Sequence, residues 1–174
     1  TMLSHSFFVS HKPDFYNFCR KKMIALDAKP NRAHIKLAEL EAAGKLDAVV
    51  TQNIDGLHQI AGSKNVFELH GSVHRNVCQR CGQTYDAAWI MAREHEDAQG
   101  VPVCPLCRGE IKPDVVLYEE PLDDNVVNGA VDAIAHADML IIGGTSLVVY
   151  PAAGLTRFFN GDKLVIINRD ALSV

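Results

Sequence analysis

Apolar positions recur along this chain in two rhythms, one helical and one extended, and the points where each rhythm breaks predict the elements. Between residues 13 and about 25, Phe15, Phe18, Cys19 and Met23 fall roughly on one face, and Pro13 suits a first helical turn. A second helix is expected from Lys29-Pro30-Asn31, with Ala33, Leu37 and Leu40 at spacings of four and three and Gly44 where a C′ residue belongs. Residues 47–51 form a short apolar strand that ends abruptly in Gln52, Asn53, Asp55 and His58. Residues 66–69 form a second extended piece that ends in His70-Gly71. Residues 111–120 read as an apolar extended run ending in acids, and residues 123–137 as a helix burying Val126, Val127, Ala130, Val131 and Ile134. Residues 138–142 are almost continuously apolar, as expected of a strand covered on both faces. Pro151 opens another helix, and residues 163–169 form a last buried strand ending in Asn168 and Arg169.

Helix, glycine, strand and polar turn in succession make the repeating unit of a parallel sheet, so the fold class is α/β, a Rossmann-like open parallel sheet. Ligands of such sheets bind beyond the carboxyl ends of the strands. That edge is where Gln52, Asn53, Asp55, His70, Thr145, Ser146 and Asn168 collect. Gly143-Gly144-Thr145-Ser146 can bring backbone N–H groups against phosphate or ribose, although the same four residues also make an ordinary turn. His34, His58 and the lone Cys19 are expected to be structural.

At 174 residues and 48% apolar content, the chain is long enough to bury a core. A net charge of −4 and a pI near 6.0 leave no electrostatic footprint for nucleic acid or for an anionic membrane. No run of about 18 apolar residues is present, and the first residues lack the features of a signal peptide, so a cytoplasmic protein is expected. The chain opens on Thr1 and in mid-pattern on Phe7-Phe8, as a fragment would, or a sequence without its first segment.

Between residues 71 and 113 the pattern is interrupted by two Cys-x-x-Cys pairs, Cys78/Cys81 and Cys104/Cys107, with 22 residues between them. Four thiolates in this arrangement suit a closed tetrahedral zinc site, which holds structure and leaves no open position for chemistry. Disulfides fit poorly with an odd cysteine count and no secretion signal. Residues 85–100 between the pairs read as a helix with a charged face of Arg93, Glu94, His95, Glu96 and Asp97.

Taken together, residues 51–58, Glu68-Leu69-His70-Gly71, the two cysteine pairs, residues 112–116, residues 143–147 and Ile167-Asn168-Arg169 resemble the sirtuins, NAD-dependent protein-lysine deacylases, over nearly the whole chain. The simple zinc module and short connections resemble a bacterial member. The resemblance implies that residues 1–71 and 113–174 form the NAD-binding domain, with 1–25 the helical part of a small domain, and that 72–112 are the zinc module. It implies that His70 is the general base on the NAD ribose. Asn53 and Asp55 would belong to the nicotinamide and ribose pocket, and Gln52 would bond the ribose. Gly143, Gly144, Thr145 and Ser146 would form the ribose-phosphate loop, with Asn168 and Arg169 at the adenosine end. Val116 and Tyr118 would flank the acyl-lysine and pair with the substrate peptide. In the family the acyl oxygen attacks C1′ of the ribose as nicotinamide leaves, and the products are free lysine, nicotinamide and O-acyl-ADP-ribose. The family's Gly-Ala-Gly-x-Ser turn and Gly-Ile-Pro-Asp-Phe-Arg loop, which hold the pyrophosphate and cover the nicotinamide, would stand before residue 1. Where the family commonly has Gly, this chain has Glu119, which adds charge beside the peptide groove.

Two other functions fit parts of the pattern. Mono-ADP-ribosyl transfer starts from the same C1′ chemistry with another acceptor. A zinc-ribbon binding module without catalysis would use the cysteine loops alone. Those loops carry few aromatics, and Arg75, Arg80, Arg93 and Arg108 are scattered among acids.

Overall fold

The computed structural model describes residues 1–171; residues 172–174 lie outside the described part. Two hydrophobic cores organise the chain. The first gathers Phe8, Phe15, Tyr16, Cys19 and Ile24 from the N-terminal helices with Val73, Cys78, Ile90, Cys104, Ile111, Val115 and Leu117. The second gathers Leu69, Ala130, Ile134, Ala152 and Leu155, with Val50, Phe67 and Leu140 packed against them.

The N-terminal helical expectation is corrected in detail. An unforeseen helix α1 (His5–Ser10) starts where the Ser4 hydroxyl accepts from the Phe7 N–H. Helix α2 (Lys12–Phe18) then widens into a π-helical turn, Cys19–Met23, so the pattern read as one helix is two geometries. Phe15 and Cys19 are buried as expected, whereas Phe18 and Met23 are half-buried. Helix α3 (Arg32–Ala42) begins at Asn31, whose side chain accepts from the Ala33 and His34 N–H groups while His34 reaches back to the Asn31 N–H. It closes with Gly44 N–H donating to Glu41 O and Lys45 N–H to Leu40 O, a Schellman pair that the left-handed φ of +66° at Gly44 permits. None of its residues is fully buried, and Ala33 is exposed, so its apolar stripe is shallower than expected.

Strands β1 (Val49–Thr51) and β2 (Val66–Glu68) pair in parallel, and both deliver their carboxyl ends to one edge. Helix α4 (Leu57–Ala61) lies between them in sequence. Strand β3 (Gly71–Cys78) then pairs antiparallel with β4 (Thr84–Tyr85) and with β5 (Ile111–Val115), framing the cysteine loops. The helix expected over 85–100 is only α5 (Ala87–Ala92). Arg93 stops it at φ +61°, and the charged run beyond it folds into turns in which Asp97 accepts from Gln99 and Val101.

Helix α6 (Asp124–His136) starts from an Asp123 cap and packs beside β2 and the 3-10 helix Ala152–Phe158. Strands β6 (Met139–Gly143) and β7 (Lys163–Ile167) form a second parallel pair. The parallel pairing is as expected, but among the described residues it comes as two separate two-stranded sheets. The expectation that β6 and β7 are buried is overturned: Ile141 is 50% exposed and Ile167 65%. Helix α6 and the 3-10 helix lie on these strands only in part, and among the described residues nothing covers the rest.

Candidate active site and metal centre

The cysteine loops close on one point. The four Sγ atoms of Cys78, Cys81, Cys104 and Cys107 lie within 4.8 Å of one another, with Cys78–Cys107 at 3.4 Å and Cys81–Cys104 at 3.7 Å. An ideal zinc tetrahedron with Zn–S bonds of about 2.3 Å separates its sulfurs by about 3.8 Å, so the residues present fit the metal. Two features bring the loops this close. The Arg80 guanidinium donates to the Cys107 carbonyl at 2.9 Å, tying one loop to the other. A Cβ at Gly109 would lie 2.5 Å from Arg80 Cβ and 2.9 Å from Cys78 Sγ, so the position accepts only glycine. All four thiols are free of disulfides, so four sulfurs are available and a tetrahedral ion on them would keep no open position.

The second centre is built on the carboxyl edge of β1 and β2. The chain turns after β1 because the Thr51 hydroxyl accepts from the Asn53 N–H, and turns again where Asp55 accepts from the Leu57 N–H. His70 Nδ1 lies 3.0 Å from the Gln52 carbonyl oxygen. A carbonyl only accepts, so Nδ1 carries the proton and the lone pair of the neutral ring sits on Nε2. His74 Nε2 donates in the same way to the Asp55 carbonyl at 2.9 Å, which ties the turn to β3. Directly after His70, Gly71 adopts φ +76°, and a Cβ there would meet the Asp114 oxygen at 1.9 Å. The histidine is thus followed by a backbone position that no other residue can occupy.

The expected substrate strand lies alongside. The Val116 N–H donates to the His70 carbonyl at 3.0 Å. The Tyr118 N–H donates to Leu3 O and the Tyr118 carbonyl accepts from the His5 N–H, so both of its backbone groups are already used. Its side chain is 57% exposed. Glu119 does not project its charge freely: its carboxylate accepts from the Ser6 N–H at 2.8 Å and from the Ser6 hydroxyl at 3.0 Å. Glu120 accepts from the Leu117 N–H and contacts His5 and Lys112. Burial pushes its carboxyl up, but these three partners outweigh burial and hold it below the usual range.

The third group sits on the carboxyl edge of β6 and β7. Gly144, Thr145, Ser146, Asn168 and Arg169 line one cleft of about 540 Å³ with Ile167, Asp170 and Ala171. Gly143 ends β6 behind it, and the Gly144 N–H donates to Ile167 O. Gly144 has φ +61°, with open space where a Cβ would stand. Two hydroxyls, an amide and a guanidinium around an open cleft are groups that suit a ribose and its phosphates. The structure therefore gathers the expected NAD residues into two clusters on two sheets that share the core under α6.

Sequence reasoning missed three groups. The Tyr85 hydroxyl lies 3.1 Å from Cys104 Sγ, and a lone Tyr four residues past a cysteine gives no signal. The Ser6–Glu119 contact spans 113 residues, beyond any local pattern. The rings of His34 and His58 lie 4.7 Å apart, joining two helices whose pairing the sequence does not encode.

The sequence matches the Sir2 family over residues 1–151. A Clostridium acetobutylicum protein named NAD-dependent protein deacetylase is 59% identical over 170 residues, covering 98% of this chain and 68% of that protein. A Clostridium perfringens protein of the same name is 61% identical over 171 residues, again covering 98% and 68%. A solved structure described as Sir2 bound to acetylated peptide superposes with a TM-score of 0.91 at 40% identity, covering 98% of this chain and 72% of that one.

Proposed function

The chain belongs to the Sir2 family, and from that premise we propose that it is an NAD-dependent protein deacetylase with His70 as its general base. The observation that carries the role of His70 is the 3.0 Å contact between its Nδ1 and the Gln52 carbonyl. That bond fixes the tautomer and leaves the lone pair of the ring on Nε2, as a general base requires. NAD, when bound, supplies a ribose carbon from which nicotinamide can leave.

The chain's own residues then divide the work. His70 takes a proton from a ribose hydroxyl. Gln52, Asn53 and Asp55 shape the nicotinamide and ribose end, where the Thr51 and Asp55 turns hold the backbone still. Gly143, Gly144, Thr145 and Ser146 meet the ribose and phosphates, and Asn168 and Arg169 meet the adenosine end; their shared cleft supports this reading. The acyl-lysine peptide lies along Val116 and Tyr118. Because residues 3 and 5 occupy the Tyr118 backbone, Tyr118 meets the peptide with its exposed side chain. Zinc on Cys78, Cys81, Cys104 and Cys107 holds the loops and takes no part in the chemistry.

We place the protein in the cytoplasm, a reading supported by cysteines held as thiols around a metal-shaped site. No helix of the described residues is long and apolar enough to cross a membrane. The test is incubation with NAD and an acetyl-lysine peptide, read by mass spectrometry. Free lysine, nicotinamide and an acetylated ADP-ribose are expected from the wild type, and none from His70→Ala. Undiminished turnover by that variant sinks the assignment of His70, and ADP-ribose found on protein instead of on acetate sinks the deacetylase reading.

A further inference from the structure

The four sulfurs of the metal centre are not equivalent. A backbone N–H reaches one of them, that of Gly109 donating to Cys107 Sγ at 3.4 Å. Only Cys104 has a side-chain partner from outside the four cysteines among the described residues, the Tyr85 hydroxyl at 3.1 Å. A thiol bound to zinc has lost its proton, so in this pair the sulfur can only accept and the phenol must donate.

The phenol is held in place from several directions. Tyr85 ends β4, opposite Asn76 of β3. Asn76 is fully buried, and its side-chain amide donates to the Val73 and Tyr85 carbonyls, which pins the Tyr85 backbone. The Tyr85 ring packs on Trp89 with centroids 4.2 Å apart, and Trp89 stacks in turn on His95 at 5.1 Å and 17°. Cys104 itself is fully buried, so no water competes for its sulfur.

We propose that Tyr85 is a positioning residue of the zinc centre: its phenol O–H donates to the Cys104 thiolate and sets how firmly that sulfur holds the metal. Four thiolates around a zinc ion would carry two net negative charges, with Cys78 and Cys104 in the buried core. A donor aimed at the most buried sulfur spreads that charge through a charge-assisted hydrogen bond and orients the sulfur toward the metal. Partners of this outer kind govern metal affinity by about 10- to 100-fold.

The experiment uses the whole chain, loaded with zinc for affinity and with cobalt(II) for spectroscopy. Tyr85→Phe keeps the ring and removes only the hydroxyl. Competition with a chromogenic chelator is expected to show zinc held at least about 10-fold more weakly than in the wild type. The sulfur-to-cobalt charge-transfer band is expected to move to lower energy, because the thiolate becomes more electron-rich. Trp89→Phe disturbs the packing and keeps the hydroxyl, and its band is expected to stay in place. Uniform replacement of tyrosine by 3-fluorotyrosine strengthens the donor without removing it, so the band should move to higher energy even if Tyr85→Phe fails to fold. Wild-type affinity with an unmoved band in Tyr85→Phe overturns the proposal. Equal band shifts in Tyr85→Phe and Trp89→Phe overturn it as well, since packing would then account for both.

Discussion

Strand β7 and the segment around Phe15 are both strongly apolar, yet they meet opposite fates. Phe15, Tyr16, Ile111 and Cys104 are at most 1% exposed, in a core shared by the N-terminal helices and the cysteine loops. Leu164, Val165, Ile166 and Ile167 are each at least 38% exposed on a two-stranded sheet. The difference lies in what closes around each. The first region is enclosed by three chain segments, tied by ion pairs such as Arg20–Glu96 and converging on the four-sulfur site. The second has α6 and one 3-10 helix on part of its surface. Apolar sequence states that a strand wants covering; the cover is a separate fact.

The largest expected effect comes from removing the metal. Structural zinc contributes about 10 kcal/mol or more in small cysteine modules, so a strong chelator should release the first core while α6 and its sheets keep their structure. Hydrogen exchange would show it as lost protection in β3 and β5 with α6 unchanged; equal loss in both regions would break the division into two cores.

Next is a matched pair of substitutions. Phe15→Ala should cost about 3–5 kcal/mol, because its ring is wholly enclosed. Ile167→Ser should cost within about 0.5 kcal/mol, as a surface change does. Denaturant melts of the two variants measure the contrast directly. A large loss in Ile167→Ser would mean that β7 is covered in solution.

The smallest effect lies in neither core, where α3 meets α4. Burial, and then the neighbouring His34, hold the His58 imidazole below its usual pKa, with Asp55 and Glu68 partly opposing them. The unfolded chain therefore takes up a proton below about pH 6.5 that the folded chain resists, and stability falls as pH falls through that window. Glu120 is held low instead, so its contribution is intact above about pH 4.3 and is lost below it. Melting temperatures taken down from about pH 7.5 to 5.5 should fall more for the wild type than for His58→Gln. Parallel curves would show that the histidine pair is not the cause.

Much of this architecture was legible because it rests on local chemistry. Asn31 and Gly44 bound a helix through their own side chain and backbone freedom, and two Cys-x-x-Cys pairs declare a tetrahedral site by spacing alone. What stayed hidden depends on distant partners. The charged residues 93–97 suit a helix surface, but Arg93 turns left-handed and Glu96 is drawn to Arg20, more than seventy residues earlier. The proposed catalytic residue followed the same rule. His70 stood out at a strand end, whereas the contact that fixes its proton is made by a backbone carbonyl, which every residue possesses and no sequence pattern marks. Tyr85 escaped notice because its partner arrives from across the cysteine loops.

The hydrogen bond from the Val116 N–H to the His70 carbonyl couples two parts that evolution or a designer would want to adjust separately. On the proposed reading of Val116 and Tyr118, sliding their segment to admit a bulkier acyl group would drag the histidine with it and misalign its ring. New preferences can therefore be reached most safely by exchanging side chains at positions such as 116 and 118 on a fixed track.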